Sequence, residues 1–509
     1  MERSDSQDGD SYRDVSAGET GRTASGITED GRYAASVGGL AAFFGARVAA
    51  LQWEDLPSQA VHWAKVGILD TVGVTLAGSG EDAPRLLSVA LANDGAHVGT
   101  PTPARGPSLV FGSTRRIGAL DAAYINGTAS HALDFDDCNN TMGGHPSAPV
   151  LSALFPLADE QGASGRDFVL AYVAGFEVEA KLGLAVNFHH YTKGWHPTAT
   201  LGAFGAAAAA ARLLRLDAGA TSVALALAAS FASGIKANFG TMTKPMHVGH
   251  AARNGLFAAR LARAGLTANV QNVFEHPQGF LEVFNGAGTY DVQRAIDAWA
   301  RPLDIIKPGI AIKQYPCCGS THPAIDAMLD VVSRRRIEPD EVERVDAWIH
   351  ERRLQHTNRP QPDSALDAKF SLQYVLARAL IDNGVGVAHF EGESYRDARI
   401  ATMLPRIHVA PYDGTQFAPQ NHFGGAVRIA LRDGSVESAS VEQALGRTSG
   451  NPVPAERLRR KFELCATNVL LDDAIAPIAD VIDSIDTLAD VRTLTSMLMT
   501  GALAQDGTQ

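Results

Sequence analysis

Fifteen residues in the first third of the chain concentrate groups that can move protons. His131-Ala-Leu-Asp-Phe-Asp-Asp-Cys-Asn-Asn-Thr-Met-Gly-Gly-His145 holds two histidines, three carboxylates and a thiol. Imidazole titrates near neutral pH, so a histidine flanked by carboxylates is a ready general acid or base. Gly143 and Gly144 free the backbone before His145-Pro146-Ser147, and Pro146 resists continued helix. The pattern predicts a helix end running into a loop that presents side chains to a cavity. Two other readings stay open: a solvated acidic turn, and a divalent-ion site built from His131, Asp134, Asp136 and Asp137.

Three later stretches add to this one. Lys193-Gly-Trp-His-Pro-Thr-Ala-Thr200 is a turn that leads into an alanine-rich helix. Thr198 or Thr200 could cap that helix, whose free N–H groups would favour a carboxylate ligand. His196 could equally be a polar turn residue. In Lys236 to Gly255, Lys244, His247, His250 and Arg253 recur every three residues, so several can share a helical face. Cations gathered on one face of an acidic protein suit an anion; the alternative is a solvated basic stripe. Lys313-Gln-Tyr-Pro-Cys-Cys-Gly-Ser-Thr-His322 carries adjacent cysteines, which neither chelate one metal tetrahedrally nor pair without strain. They read as small buried residues.

The elements that must position these groups are mostly helical. Residues 59–77 place Val61, Ala64, Ile68 and Val72 at helical spacing, with Gly78-Ser79-Gly80 as the stop. Further helices are predicted over 116–126, 147–160, 165–182, 200–215, 221–235 and 250–264. Six consecutive alanines at 206–211 favour close helix packing. Beyond residue 300 the pattern changes. Val345, Ala347 and Ile349 alternate with polar residues, and Asp433-Gly434 separates two alternating runs, a hairpin signal. A helix lies between them at 369–382. From Ala455 the pattern is helical again.

A chain of 509 residues exceeds one hydrophobic core. We divide it into a disordered tail (1–33), an all-α domain (34–308), a smaller α+β lid domain (309–445) and C-terminal helices (446–509) that pack back on the first domain. The fold class is thus mainly α. A net charge of −12 argues against non-specific nucleic-acid binding, though a local cationic cluster can still hold a small anion. Four cysteines form neither a disulfide framework nor a zinc pattern, which fits a cytoplasmic setting. No apolar run reaches the length of a membrane span. The first thirty residues lack the apolar core of a signal peptide.

Taken together, the stretches resemble the MmgE/PrpD family. The matching strings are His131-Ala-Leu-Asp-Phe-Asp-Asp137, His145-Pro-Ser147, Gly194-Trp-His-Pro-Thr-Ala-Thr200, Thr243-Lys-Pro-Met-His-Val-Gly249, Ala252-Arg-Asn-Gly255, the Lys313 stretch and Ala368-Lys-Phe-Ser-Leu-Gln-Tyr374. The resemblance runs from about residue 35 to the C-terminus. It implies a large all-α domain with an α+β lid, a homodimer, and C-terminal helices that rejoin the first domain. It also implies a lyase or isomerase acting on a small di- or tricarboxylic acid without metal or organic cofactor. The family includes 2-methylcitrate dehydratase, cis-aconitate decarboxylase and an iminodisuccinate epimerase.

Position by position, the resemblance assigns catalysis to Asp134, His145, His196, Lys244 and Lys313. Substrate-binding candidates are Cys138, Asn238, His247, Arg253 and Cys318. Two positions depart from the decarboxylase pattern: Cys138 stands where Thr is common, and Cys318 where animal decarboxylases carry His. One extra residue also separates Cys138 from His145. Fungal decarboxylases share the paired cysteines. On these departures the reading favours a dehydratase of the 2-methylcitrate type, with decarboxylase or epimerase as alternatives. Lys244, Lys313 and His196 would clamp carboxylates and stabilise enediolate-like charge, and His145 would be the general acid/base. Asp134 would orient a histidine or hold a substrate hydroxyl. The competing classes are the metal-dependent enzyme and a carboxylate-binding protein without catalysis.

Overall fold

The computed structural model describes residues 38–93, 106–418 and 420–503. The tail expected over residues 1–33 lies outside them. Among the described residues the fold is mainly α, with a two-stranded and a four-stranded sheet.

The first core is built from helices Ser58–Gly78, Ala119–Ala132, Ser147–Gln161, Gly165–Val186, Gly202–Leu213 and Thr243–Arg263. Ala206 to Ala211 are all fully buried. Their methyl groups let three helices close on one another, and packing rather than propensity holds them. Helices Ala119–Ala132 and Thr243–Arg263 approach each other closely. A Cβ on Gly249 would stand 2.1 Å from the Tyr124 carbonyl oxygen, and one on Gly127 would stand 2.7 Å from the Gly249 Cα. Only glycine at both positions permits this crossing. It sets the start of one helix, with Lys244, against the end of the other, with His131.

The helix predicted from residue 116 starts later. Arg116–Ile117 forms strand β2, antiparallel to β1 at Ser108–Leu109, and Gly118 is the N-cap of Ala119–Ala132. The alanine-rich helix is also divided. Pro197–Thr200 is a short helix of its own, followed by Gly202–Leu213.

A second core runs from Tyr315 to Leu431. Its strands are β3 (Val342–Ile349), β4 (Ile407–Pro411), β5 (Gly425–Leu431) and β6 (Val436–Val441), in the order β4-β3-β5-β6. β5 and β6 form the hairpin marked by Asp433-Gly434, where Gly434 takes φ +85. β4 is absent from the sequence reading. It is five residues long and ends in proline, so it carries little alternation. It pairs parallel to β3, and the crossover includes helices Glu351–Thr357 and Leu372–Asp382.

The last helices, Ala455–Ala466, Asp472–Asp483 and Arg492–Thr500, return to the first core, where Phe462, Ile478 and Leu494 are buried. Lys461 seals this return. Its Nζ lies 2.6 Å from Asp70 and donates to the Phe135 carbonyl at 2.8 Å. No helix among the described residues is long and apolar enough to cross a membrane.

Candidate active site

Helix Ala119–Ala132 stops at Leu133, and Asp134 turns the chain with φ 54, a left-handed conformation uncommon outside glycine. Two lysines hold this turn. Lys369 Nζ donates to the Leu133 carbonyl at 3.0 Å, and Lys313 Nζ donates to the Asp134 carbonyl at 2.7 Å. A strained residue held by surrounding contacts is common where side-chain aim matters.

The Asp134 carboxylate meets Lys244 Nζ at 2.5 Å and Lys313 Nζ at 3.1 Å. Burial alone would raise its pKa. Lys244 and then Lys313 outweigh burial and hold it well below the usual carboxylate range. Both lysines are buried.

Asp136 bridges two imidazoles, His131 Nδ1 at 2.9 Å and His145 Nδ1 at 3.2 Å. One carboxylate cannot keep both rings charged in a dry interior. Burial, only partly offset by Asp136, takes His131 down to about 4. Burial also opposes charge on His145, but Asp136 and then the Cys138 sulfur outweigh it, and His145 is held at about 10. The proton therefore resides on the ring that faces the cavity. His145 Nε2 lies 3.8 Å from Asp134, and its backbone N–H donates to Thr198 Oγ1 at 3.1 Å. His196 is driven well below its ordinary value by burial, then by His131 and Lys244, so it is neutral.

Most of these groups line a cavity of about 180 Å³, with His131 and Asp136 behind its wall. Asp134, Cys138, His145, His196, Lys244, Lys313 and Cys318 all reach it. Of the other candidates, His247 is buried behind His196, with Nδ1 atoms 3.4 Å apart. Asn238 and Arg253 do not line the cavity. Asn238 sits in a 3-10 turn whose carbonyl accepts from Thr241. Arg253 faces Asp121 at 4.0 Å. The cause is helical drift: Arg253 is about two and a half turns beyond Lys244, so it points the opposite way. His250, between them, is beside Ser233 at 3.2 Å.

Three further expectations are corrected. Asp137 does not join the other carboxylates: its oxygens accept from Ser147, and burial, then Asp70, push it well above the usual range. Thr198 and Thr200 are not caps, since Thr198 accepts from His145 and Thr200 donates back to the His196 carbonyl at 3.2 Å. The cysteines are not alike. Cys317 is buried and pushed up to about 12, chiefly by burial. Cys318 lines the cavity 3.6 Å from His356 Nε2. Burial opposes its thiolate, but the bond to His356 outweighs it and draws the thiol down to about 6.

The second core and the segment that follows it supply groups the motifs did not mark, Arg353, His356, Phe423 and Arg447, and Ser320 from within the Lys313 stretch lines the cavity with them. Arg353 and His356 share the helix Glu351–Thr357. The signal available was a cluster of three arginines and a histidine within eight residues, at 352–359.

Among the described residues a divalent ion has one possible cage. Ligand atoms of His131, Asp134, Asp136 and His145 lie within 4.8 Å of one another. The ammonium groups of Lys244 and Lys313 already occupy the Asp134 carboxylate, and His145 carries a proton, so the cage is already neutralised by its own cations. The donor set fits a metal poorly.

A mainly helical body carrying a lysine-clamped aspartate and a carboxylate-charged histidine, with a small sheet-containing region closing the cavity, matches one class of protein. The N-terminal domain of the MmgE/PrpD family matches residues 43–293, and its C-terminal domain matches residues 315–486. The chain belongs to the MmgE/PrpD family. Among curated proteins it is 32% identical to a human cis-aconitate decarboxylase over 387 residues, covering 74% of this chain and 79% of the relative. It is 29% identical to the cis-aconitate decarboxylase of Aspergillus terreus over 471 residues, covering 88% and 93%. A cis-aconitate decarboxylase-like protein of Aspergillus oryzae is 27% identical, covering 89% and 95%.

Proposed function

We propose that this protein is a lyase of small polycarboxylates, and specifically a carboxy-lyase that converts cis-aconitate to itaconate without a cofactor. The observation that carries this is His145, held protonated by Asp136 and facing a cavity that also contains Lys244 and Lys313. Decarboxylation needs one thing from the protein after CO2 leaves, a proton donor beside the carbanion. The curated relatives support a carboxy-lyase over the dehydratase that Cys138 and Cys318 suggested.

In the proposed reaction the bond between the saturated methylene and its carboxylate breaks, and CO2 departs. The electron pair enters the adjacent double bond, and charge spreads to the carboxylate conjugated with it. Lys244 and Lys313 stabilise that charge from fixed positions. His145 then protonates the former alkene carbon, leaving a terminal methylene, and regains a proton from solvent. Asp134 keeps the two ammonium groups aimed and shares them with substrate.

A second reading rests on His196. Its neutral ring lines the same cavity and could accept a proton, as a hydro-lyase base would. Proton NMR in D2O separates the two. EDTA-treated enzyme should turn cis-aconitate into itaconate carrying one deuterium on its saturated methylene. A vinyl product from 2-methylcitrate, with cis-aconitate unchanged, would replace decarboxylase by dehydratase. Activity lost to EDTA and restored by a divalent ion would return the metal reading.

A further inference from the structure

Two arginines that line the cavity, Arg353 and Arg447, have no carboxylate partner among the described residues. Arg447 and Arg353 both lie over the ring of Phe423, at 5.1 and 4.8 Å from its centroid. Among the described residues, the titratable groups acting on them are Arg447, Arg352 and Tyr412 on Arg353, and the thiols of Cys138 and Cys318; no carboxylate is one of them. Arg447 Nε is buried without a hydrogen-bond partner. Arg353 donates Nε to the His422 carbonyl at 2.6 Å and Nη1 to Ser320 Oγ at 3.4 Å, and among the described residues its Nη2 has no acceptor. Burial lowers both, yet a guanidinium keeps its charge, so among the described residues two partly buried cations face the cavity with no carboxylate beside them. Lys244 and Lys313 differ, because Asp134 compensates them.

A backbone contact fixes Arg447 relative to Lys313. Ile312, next to Lys313, donates its N–H to the Gly446 carbonyl at 2.8 Å, beside Arg447. Gly319 lies between the two charges: a Cβ there would stand 3.5 Å from Arg447 Nη1 and 3.7 Å from Lys313 Cε. The bare glycine leaves the space over it open, and the two cations on either side of it are one short carbon chain apart.

We propose that Arg353 and Arg447, stacked on Phe423, form a second carboxylate subsite that makes the cavity select tricarboxylates over dicarboxylates. Planar guanidinium forks match carboxylates in two-point contacts, and their loss relaxes selectivity more than a generic loss of charge would. The proposal rests on the polycarboxylate reading of this cavity, but not on which bond is broken.

The test is calorimetric binding of two inert probes that differ by a single carboxylate, tricarballylate and methylsuccinate. The wild-type protein should prefer tricarballylate at least ~10-fold. Arg447→Gln and Arg353→Gln should each weaken tricarballylate by ~10- to 100-fold and methylsuccinate by less than about threefold. Thermal melting checks folding; should Arg447→Gln not fold, Arg353→Gln on its short surface helix decides. Equal weakening of both probes, or none, overturns the subsite. Failure of the wild-type protein to bind either probe overturns the subsite together with the polycarboxylate reading. Discrimination that depends on the arginines, in a protein that leaves cis-aconitate unchanged, keeps the subsite and removes the decarboxylase.

Discussion

His145 owes its proton to a competition between its burial and the opposing pull of Asp136 and the Cys138 sulfur. Replacing it with Ala removes the proton donor but leaves both lysines and both cavity arginines. Turnover should fall by ~10²- to 10⁴-fold, while tricarballylate binding changes by only a few-fold. A kcat within twofold of wild type would remove His145 from the chemistry. The pH profile has a sign. An acid works while protonated, and His145 is held at about 10. Activity should persist through neutral pH and fall as pH rises toward that value. Asp136→Asn deletes the largest force opposing burial, so the alkaline limb should move to lower pH. An unmoved limb would assign it to another group. The same shift bears on folding. Stability from His145 is complete below its ordinary value of 6.5 and is lost as pH climbs through about 10.

The crossing of helices Ala119–Ala132 and Thr243–Arg263 is where an element sets the chemistry. Gly249→Ala would put a methyl group 2.1 Å from the Tyr124 carbonyl. The helices must separate, and Lys244 must leave Asp134. The expected cost is about 1–3 kcal/mol in denaturant unfolding, with a larger loss of activity than stability alone explains. Unchanged stability and rate would show that the crossing tolerates the methyl group. This crossing also marks how far the sequence could be read. The long helices were legible because their apolar residues repeat every turn, and so were the β5–β6 hairpin and the 131–145 loop. The motifs held Asp134, His145, His196, Lys244 and Lys313 because those residues sit in short distinctive strings. Arg353 and Arg447 were not legible as site residues. Arg353 reaches the cavity through the folding of the second core and Arg447 from the segment after it, and ninety-odd intervening residues leave no spacing rule to join them. Arg253 was misread because a three-residue repeat was taken as one face over nine residues.

The cavity is a property of the whole molecule, since its walls come from both cores and its loop is anchored by the C-terminal return. Lys461 touches both Asp70 and the Phe135 carbonyl, one residue from Asp134. The pair is almost fully buried, at 9% and 0% side-chain exposure. Lys461→Met would strand Asp70 in the interior and should cost about 3–5 kcal/mol. The double variant Asp70→Asn, Lys461→Met should recover much of that loss, because it removes the stranded charge. Thermal melts of the two variants make the comparison. A single variant as stable as the wild type would show that solvent reaches Asp70.

The Asp70–Lys461 contact also has a timetable. Its partners are 391 residues apart in the chain, so at about 5–20 residues per second a ribosome needs roughly 20 to 80 seconds to deliver the lysine after the aspartate. Throughout that interval the growing helix Ser58–Gly78 holds a carboxylate that its own surroundings cannot neutralise. The first core can collapse, but it cannot close around Asp70 in the ionised form. Emergence of the C-terminal helices thus completes two things at once, the interior of the helical body and the anchoring of the loop that carries Asp134. A nascent chain halted just before residue 461 would hold every residue that lines the cavity and no finished site.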